Sequence, residues 1–62
     1  MTTLLKEIEA YLHRTGIAET TFGRRAVNDP RLVGDLRRGR EPGPKMRERV
    51  EAVIRPVMRN AA

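Results

Sequence analysis

A chain of 62 residues without a single cysteine has few ways to hold itself folded. A domain this small hides only about 60% of the surface its unfolded form exposes, so its apolar core is marginal. Disulfides and thiolate zinc sites are excluded, and one histidine, His13, cannot build a metal cage rich in nitrogen ligands. What remains is tidy helix packing or association with another molecule. No apolar run approaches the roughly 20 residues of a membrane span, and no signal-peptide stretch follows the start. The expectation is one soluble, intracellular domain over 1–62.

The apolar residues recur at helical spacing. Over 3–15, Leu4, Leu5, Ile8, Tyr11 and Leu12 make one stripe, Thr2 or Thr3 can cap its start, and Gly16 stands where it should end. His13 reads as a solvent-facing residue near that helix's C-terminus, where a cation is favoured. A second helix is expected over about 19–26, with Ile17, Phe22 and Ala26 on its buried side. Gly23 within it costs up to about 1 kcal/mol relative to alanine, which close approach of another helix would justify. Val27, Asn28 and Asp29 form a tight connection. Asp29 then reads as an N-cap and Pro30 as the first residue of a third helix over about 30–38, with Leu32, Val33 and Leu36 buried and Gly39 as its stop. After the turn from Arg40 to Pro44, a fourth helix carries Met46, Val50, Val53 and Ile54 on one face. Pro56 should end or kink it near Arg55, leaving Val57 and Met58 on a short tail. The expected fold class is all-α: a compact bundle of four short helices, or five if the tail adds one.

Charge is distributed unevenly along this bundle. Residues 24–49 hold nine bases against Asp29, Asp35, Glu41 and Glu48, a net of +5 that equals the formal charge of the whole chain. A local excess of arginine is the footprint of a polyanion binder. A merely solvated surface is the other reading of this charge; with only Tyr11 and Phe22 as aromatics, base-stacking surfaces for single strands are disfavoured, so that if the partner is a nucleic acid, double-stranded DNA is the one expected.

Once Leu32, Val33 and Leu36 are buried, Arg31, Gly34, Asp35 and Arg38 fall in one narrow sector opposite them. A helix fits the major groove, and arginine can make a bidentate contact to the O6 and N7 of guanine. Asp35 can accept from the N4 of cytosine, or hold Arg31 and Arg38 as i,i+4 and i,i+3 partners. Gly34 would let the backbone approach the bases. An ordinary solvated face with two ion pairs is the other reading of the same stripe. Around it, Thr20 and Thr21 at the start of the second helix are placed for a phosphate. Arg24, Arg25, Arg37, Arg40, Lys45 and Arg47 are candidates for contacts to the two backbones. Met46, Val57 and Met58 are candidates for a dimer surface, with core filling the alternative.

The run Thr21-Phe22-Gly23-Arg24-Arg25-Ala26, then Val33 and Leu36, then Arg38-Gly39-Arg40 before a Pro-led helix, resembles the lambda-repressor/Cro-like helix-turn-helix family. The likeness covers roughly 4–54, with the motif at about 19–38. It departs from the pattern at Val27, where glycine is usual, at Asn28, where an apolar residue is usual, and at Ala18, where Ser or Thr usually caps. The resemblance implies a cytoplasmic, nucleoid-associated transcription regulator, in the first place a repressor, acting as a homodimer on a palindromic site. No cofactor and no small-molecule ligand is implied.

Two other classes stand beside this reading. A protein-interaction module, antitoxin-like or an adaptor, would keep the same fold and bind a protein instead. A cationic membrane-active peptide is opposed by the acidic residues on every helix. Catalysis is not expected: there is no serine, no cysteine nucleophile and no glycine-rich phosphate loop with lysine. The carboxylate pairs Glu7/Glu9 and Glu48/Glu51 lack a companion base or pocket.

Overall fold

The structure, a computed structural model, describes residues 3–59. Four helices follow one another: α1 (Leu4–Thr15), α2 (Glu19–Val27), α3 (Leu32–Arg37) and α4 (Pro44–Arg59). No strand occurs among the described residues.

Each helix brings its own apolar stripe to one core. α1 contributes Leu4, Ile8 and Tyr11, α2 contributes Phe22, α3 contributes Leu32, Val33 and Leu36, and α4 contributes Val50 and Ile54. The intervals of three and four residues in α1, in α4 and from Val33 to Leu36 are what a helix of 3.6 residues per turn requires to keep one face inward. Phe22 is fully buried at the centre, its ring 5.3 Å from that of Tyr11 and tilted by 53°. Such a pair adds about 0.5–1.5 kcal/mol beyond its burial. Leu5, Leu12, Ile17, Ala26, Val27, Met46, Val53, Val57 and Met58 form a half-buried shell around this centre.

The boundaries of α1 follow local chemistry. Thr3 Oγ1 accepts the Lys6 N–H at 3.2 Å. Gly16 takes the left-handed conformation (φ 74°), and its N–H donates to the Leu12 carbonyl at 2.8 Å. Three other boundaries differ from expectation. α2 runs one residue further, to Val27, because Asn28 and not Val27 is the left-handed residue (φ 56°). Asparagine is among the few residues that enter that region at low cost.

α3 begins at Leu32, two residues later than Pro30. Asp29-Pro30-Arg31-Leu32 is a turn closed by the Leu32 N–H donating to the Asp29 carbonyl at 3.2 Å, with Arg31 at φ −92°, ψ 0°. That is a type I turn, with proline at the position that favours it. Asp29 keeps a capping role within it, as Oδ1 accepts the Arg31 N–H at 3.0 Å.

The third difference is at Pro56, which does not end the helix: α4 continues through it to Arg59. Pro56 is exposed, and so is Ala52, whose carbonyl loses its intrahelical partner and lies where water can replace it. Val57 and Met58 meanwhile pack against the core and do not form a free tail. Their packing carries the helix past a residue whose local preference is to stop it.

Gly23 has a clear structural reason. A Cβ there would overlap the Asp29 carbonyl oxygen and lie 3.1 Å from Leu32 Cβ. The close approach is therefore made by the turn backbone as much as by α3.

Candidate nucleic-acid interface

The segment that positions the candidate site is α2, the Asn28–Arg31 connection and α3. Asn28 reverses the chain, its N–H donating to the Arg24 carbonyl at 2.9 Å, and the Asp29 N–H reaches the Gly23 carbonyl at 3.0 Å. At the far end of α3 the Arg38 N–H donates to the Gly34 carbonyl at 3.2 Å. Gly39, at φ 105°, then turns the chain so that the Arg40 N–H bonds the Asp35 carbonyl at 3.0 Å. α3 is thus a helix of six residues held between two hydrogen-bonded turns.

Arg40 joins these two turns through its side chain. Its Nη1 lies 3.1 Å from Asp29 Oδ2 and 3.2 Å from Asp35 Oδ2. The backbone N–H of Arg31, and next the Arg40 guanidinium, hold the Asp29 carboxyl below its ordinary range. Arg37 makes a second clamp on another side of α3, with Nη1 2.6 Å from Glu19 Oε2 and Nε 3.2 Å from Glu9 Oε2. Those two carboxylates, Glu19 foremost, raise the affinity of the Arg37 guanidinium for its proton. So Arg37 ties α3 to α1 and to the first turn of α2, and Arg40 ties the end of α3 to its beginning.

The four stripe residues are distributed as follows. Arg31 is exposed in the leading turn and has no ion pair among the described residues. Gly34 faces open space, with nothing within 4 Å of where a Cβ would stand. Asp35 is half-buried, and Arg38 follows α3 with a side chain 81% exposed. The Asp35–Arg31 ion pair, one of the two roles open to Asp35, does not form: Arg31 is the N-cap of α3, its carbonyl accepting the Asp35 N–H at 2.8 Å, and its side chain has no ion pair among the described residues. Asp35 instead pairs with Arg38, Oδ1 to Nη1 at 3.5 Å, and through Oδ2 with Arg40.

The flanking candidates differ in their surroundings. Thr20 is exposed and Thr21 half-buried in the first turn of α2, where the Glu19 carboxylate also sits. Arg24 and Arg25 are exposed in the last turn of α2, and Lys45 and Arg47 in the first turn of α4; none of the four has an ion pair among the described residues. Arg37 and Arg40 are engaged by carboxylates, as above. Met46, Val57 and Met58 are half-buried against the core.

The structure adds a residue that periodicity did not single out. Arg49, one turn after Lys45, shares an open groove with Lys45, Asp29, Arg40, Glu48, Val27 and Met46, so Glu48, expected to lack a companion base or pocket, lines a hollow beside three bases. Its i,i+4 spacing from Lys45 was visible, but the groove exists only because the turn before α3 packs near the start of α4. The clamp residues Glu9 and Glu19 were likewise not singled out, since they are 28 and 18 residues from Arg37.

The chain matches no protein-family model, no curated protein and no solved structure. Among the described residues no helix is long and apolar enough to cross a membrane.

Proposed function

We propose that this chain binds double-stranded DNA with sequence preference, presenting α3 and the turns at its two ends to the major groove, and acts as a transcriptional regulator. The observation that carries this reading is the pair Arg31 and Arg38. Both are exposed, seven positions apart, with Gly34 opening the surface between them. Seven residues are close to two helical turns, so the two arginines lie on nearly the same side. Arg24, Arg25, Lys45, Arg47 and Arg49 supply cations on the neighbouring ends of α2 and α4 that suit phosphates, which position a protein without specifying sequence.

The resemblance to lambda-repressor/Cro-like proteins supports the same reading and adds repression and homodimeric binding to it. One α3 offers a small contact area. Two copies on an inverted repeat would double it, with half-sites about ten base pairs apart.

The test is selection of bound duplexes from a random library at near-physiological salt, followed by sequencing. An enriched motif, in particular an inverted repeat, is the expected result. Binding that is uniform across sequences and lost at moderate salt would overturn the reading and favour a protein partner for the same fold.

A further inference from the structure

The arrangement around Asp35 says which bases this surface would read, an inference that rests on the proposed DNA binding. We infer that Arg31 and Arg38 each recognise a guanine, that Asp35 orients Arg38 without touching a base, and that the two base pairs between those guanines go unread.

Three observations lead there. First, the carboxylate of Asp35 is committed within the protein: Oδ1 lies 3.5 Å from Arg38 Nη1 and Oδ2 lies 3.2 Å from Arg40 Nη1. It is half-buried, and the Arg40 that holds it is itself held by Asp29 at 3.1 Å. A cytosine amino group would have to compete with two guanidinium partners, so Asp35 is a positioning residue. Its ion pair with Arg38, made without a hydrogen bond and at an exposed side chain, biases the direction of that guanidinium and leaves the donors of the fork for a ligand. Bidentate donation from such a fork matches the O6 and N7 acceptors that guanine alone presents together in the major groove.

Second, the outward surface between the two arginines holds no other reading group. Leu32, Val33 and Leu36 are buried, Gly34 has no side chain, and Arg37 is clamped by Glu9 and Glu19. Third, the span sets the spacing. Seven residues at about 1.5 Å rise separate the arginines by about 10 Å, which corresponds to about three base-pair steps at 3.4 Å each. The half-site therefore has two G·C pairs about three steps apart, flanking two pairs of no preference.

The experiment starts from the site selected by the wild-type chain, resynthesised with 7-deazaguanine, which lacks the N7 acceptor, at one guanine at a time. Each replacement should weaken wild-type binding about threefold to tenfold, because one of the two hydrogen bonds of the bidentate contact is lost while O6 still accepts. Arg31→Ala should abolish the penalty at one guanine only, and Arg38→Ala at the other. Asp35→Asn should reduce the penalty at the guanine of Arg38 and leave that of Arg31 intact, a base-specific effect that general loosening of the fold would not produce. Should Asp35→Asn fail to fold, the modified duplexes with the wild-type chain still decide the spacing and the bases. A selected motif with its preference in the intervening pairs, or one indifferent to 7-deazaguanine, would overturn this inference while DNA reading stands. Absence of any selected motif would overturn the DNA reading itself.

Discussion

Arg40 lies eleven positions beyond Asp29 and closes back on it, with Nη1 3.1 Å from Oδ2, so the turn that leads into α3 and the turn that leaves it are fastened by one ion pair. Asp29 serves two masters in this contact: Oδ2 receives the guanidinium, and Oδ1 accepts the Arg31 N–H at 3.0 Å. The residue that shapes the leading turn is thereby the one that anchors the trailing turn.

The pH dependence follows from this geometry. The folded Asp29 carboxyl titrates below its ordinary value of 3.8, because the Arg31 N–H and the Arg40 guanidinium favour its charged form. A depressed carboxylate contributes stability that is present above the unfolded pKa and is lost as pH falls through the folded one. Asp29→Asn should therefore melt at a lower temperature than wild type at neutral pH, and the gap should close below pH 3.8. Thermal melts followed by circular dichroism across that range check this; a gap that stays constant would show that Asp29 does not act through its charge.

Gly23→Ala should destabilise the fold although alanine is the better helix former by about 1 kcal/mol. The new Cβ would meet the backbone carbonyl of Asp29, which cannot rotate away as a side chain can. Overpacking of this kind costs about 1–3 kcal/mol or more, so a net loss is expected in chemical denaturation. An unchanged or raised midpoint would mean that the turn yields easily.

Pro56→Ala is expected to stabilise. An interior proline costs about 3 kcal/mol relative to alanine, partly offset here by the stiffness it lends the unfolded chain. The residue is exposed, so the substitution leaves the core intact, and a gain of about 1–2 kcal/mol should be seen in denaturant midpoints. A loss would indicate that the ring itself makes a needed contact.

Removing the clamp with Arg37→Ala should lower the melting temperature in dilute buffer, and less so at high salt. Its partners Glu9 and Glu19 are almost as exposed as Arg37 itself, and ions screen such pairs. A loss that persists undiminished in molar salt would assign the effect to the packing of the arginine stem.

Arg25→Ala and Lys45→Ala should each weaken binding to all duplexes alike and reduce the slope of log K against log salt by about 0.9. A changed base preference in either variant would show that these residues read sequence and do not merely hold the backbone.

Most of the helical architecture was readable because it is written locally. Thr3 before the stripe of Leu4, Ile8 and Tyr11, and Gly16 after it, mark α1 by rules that span only a few residues. Gly23 announced a close approach before the Asp29 carbonyl was known to make it. Where local rules competed with tertiary packing, the rules lost, as when Val57 and Met58 drew α4 past Pro56. The proline signal at position 30 was also ambiguous in kind, since Asp-Pro suits a type I turn as well as a helix start. The least legible features were the side-chain partnerships. Helical periodicity can pair Asp35 with Arg38, three residues on, but carries no information about Arg37 meeting Glu9 or Arg40 meeting Asp29.

The clamps at Arg37, Arg38 and Arg40 also change what a count of basic residues means. Of nine bases in 24–49, these three already face carboxylates, and six (Arg24, Arg25, Arg31, Lys45, Arg47 and Arg49) have no ion pair among the described residues. An arginine that arrives with its own counterion frees no ion from a polyanion until that internal partner is displaced. With Arg31 kept for a guanine, the salt exponent per chain should accordingly approach about 4.5 as its ceiling, the value for the other five at phosphates, and not the roughly 8 that nine phosphate contacts would give.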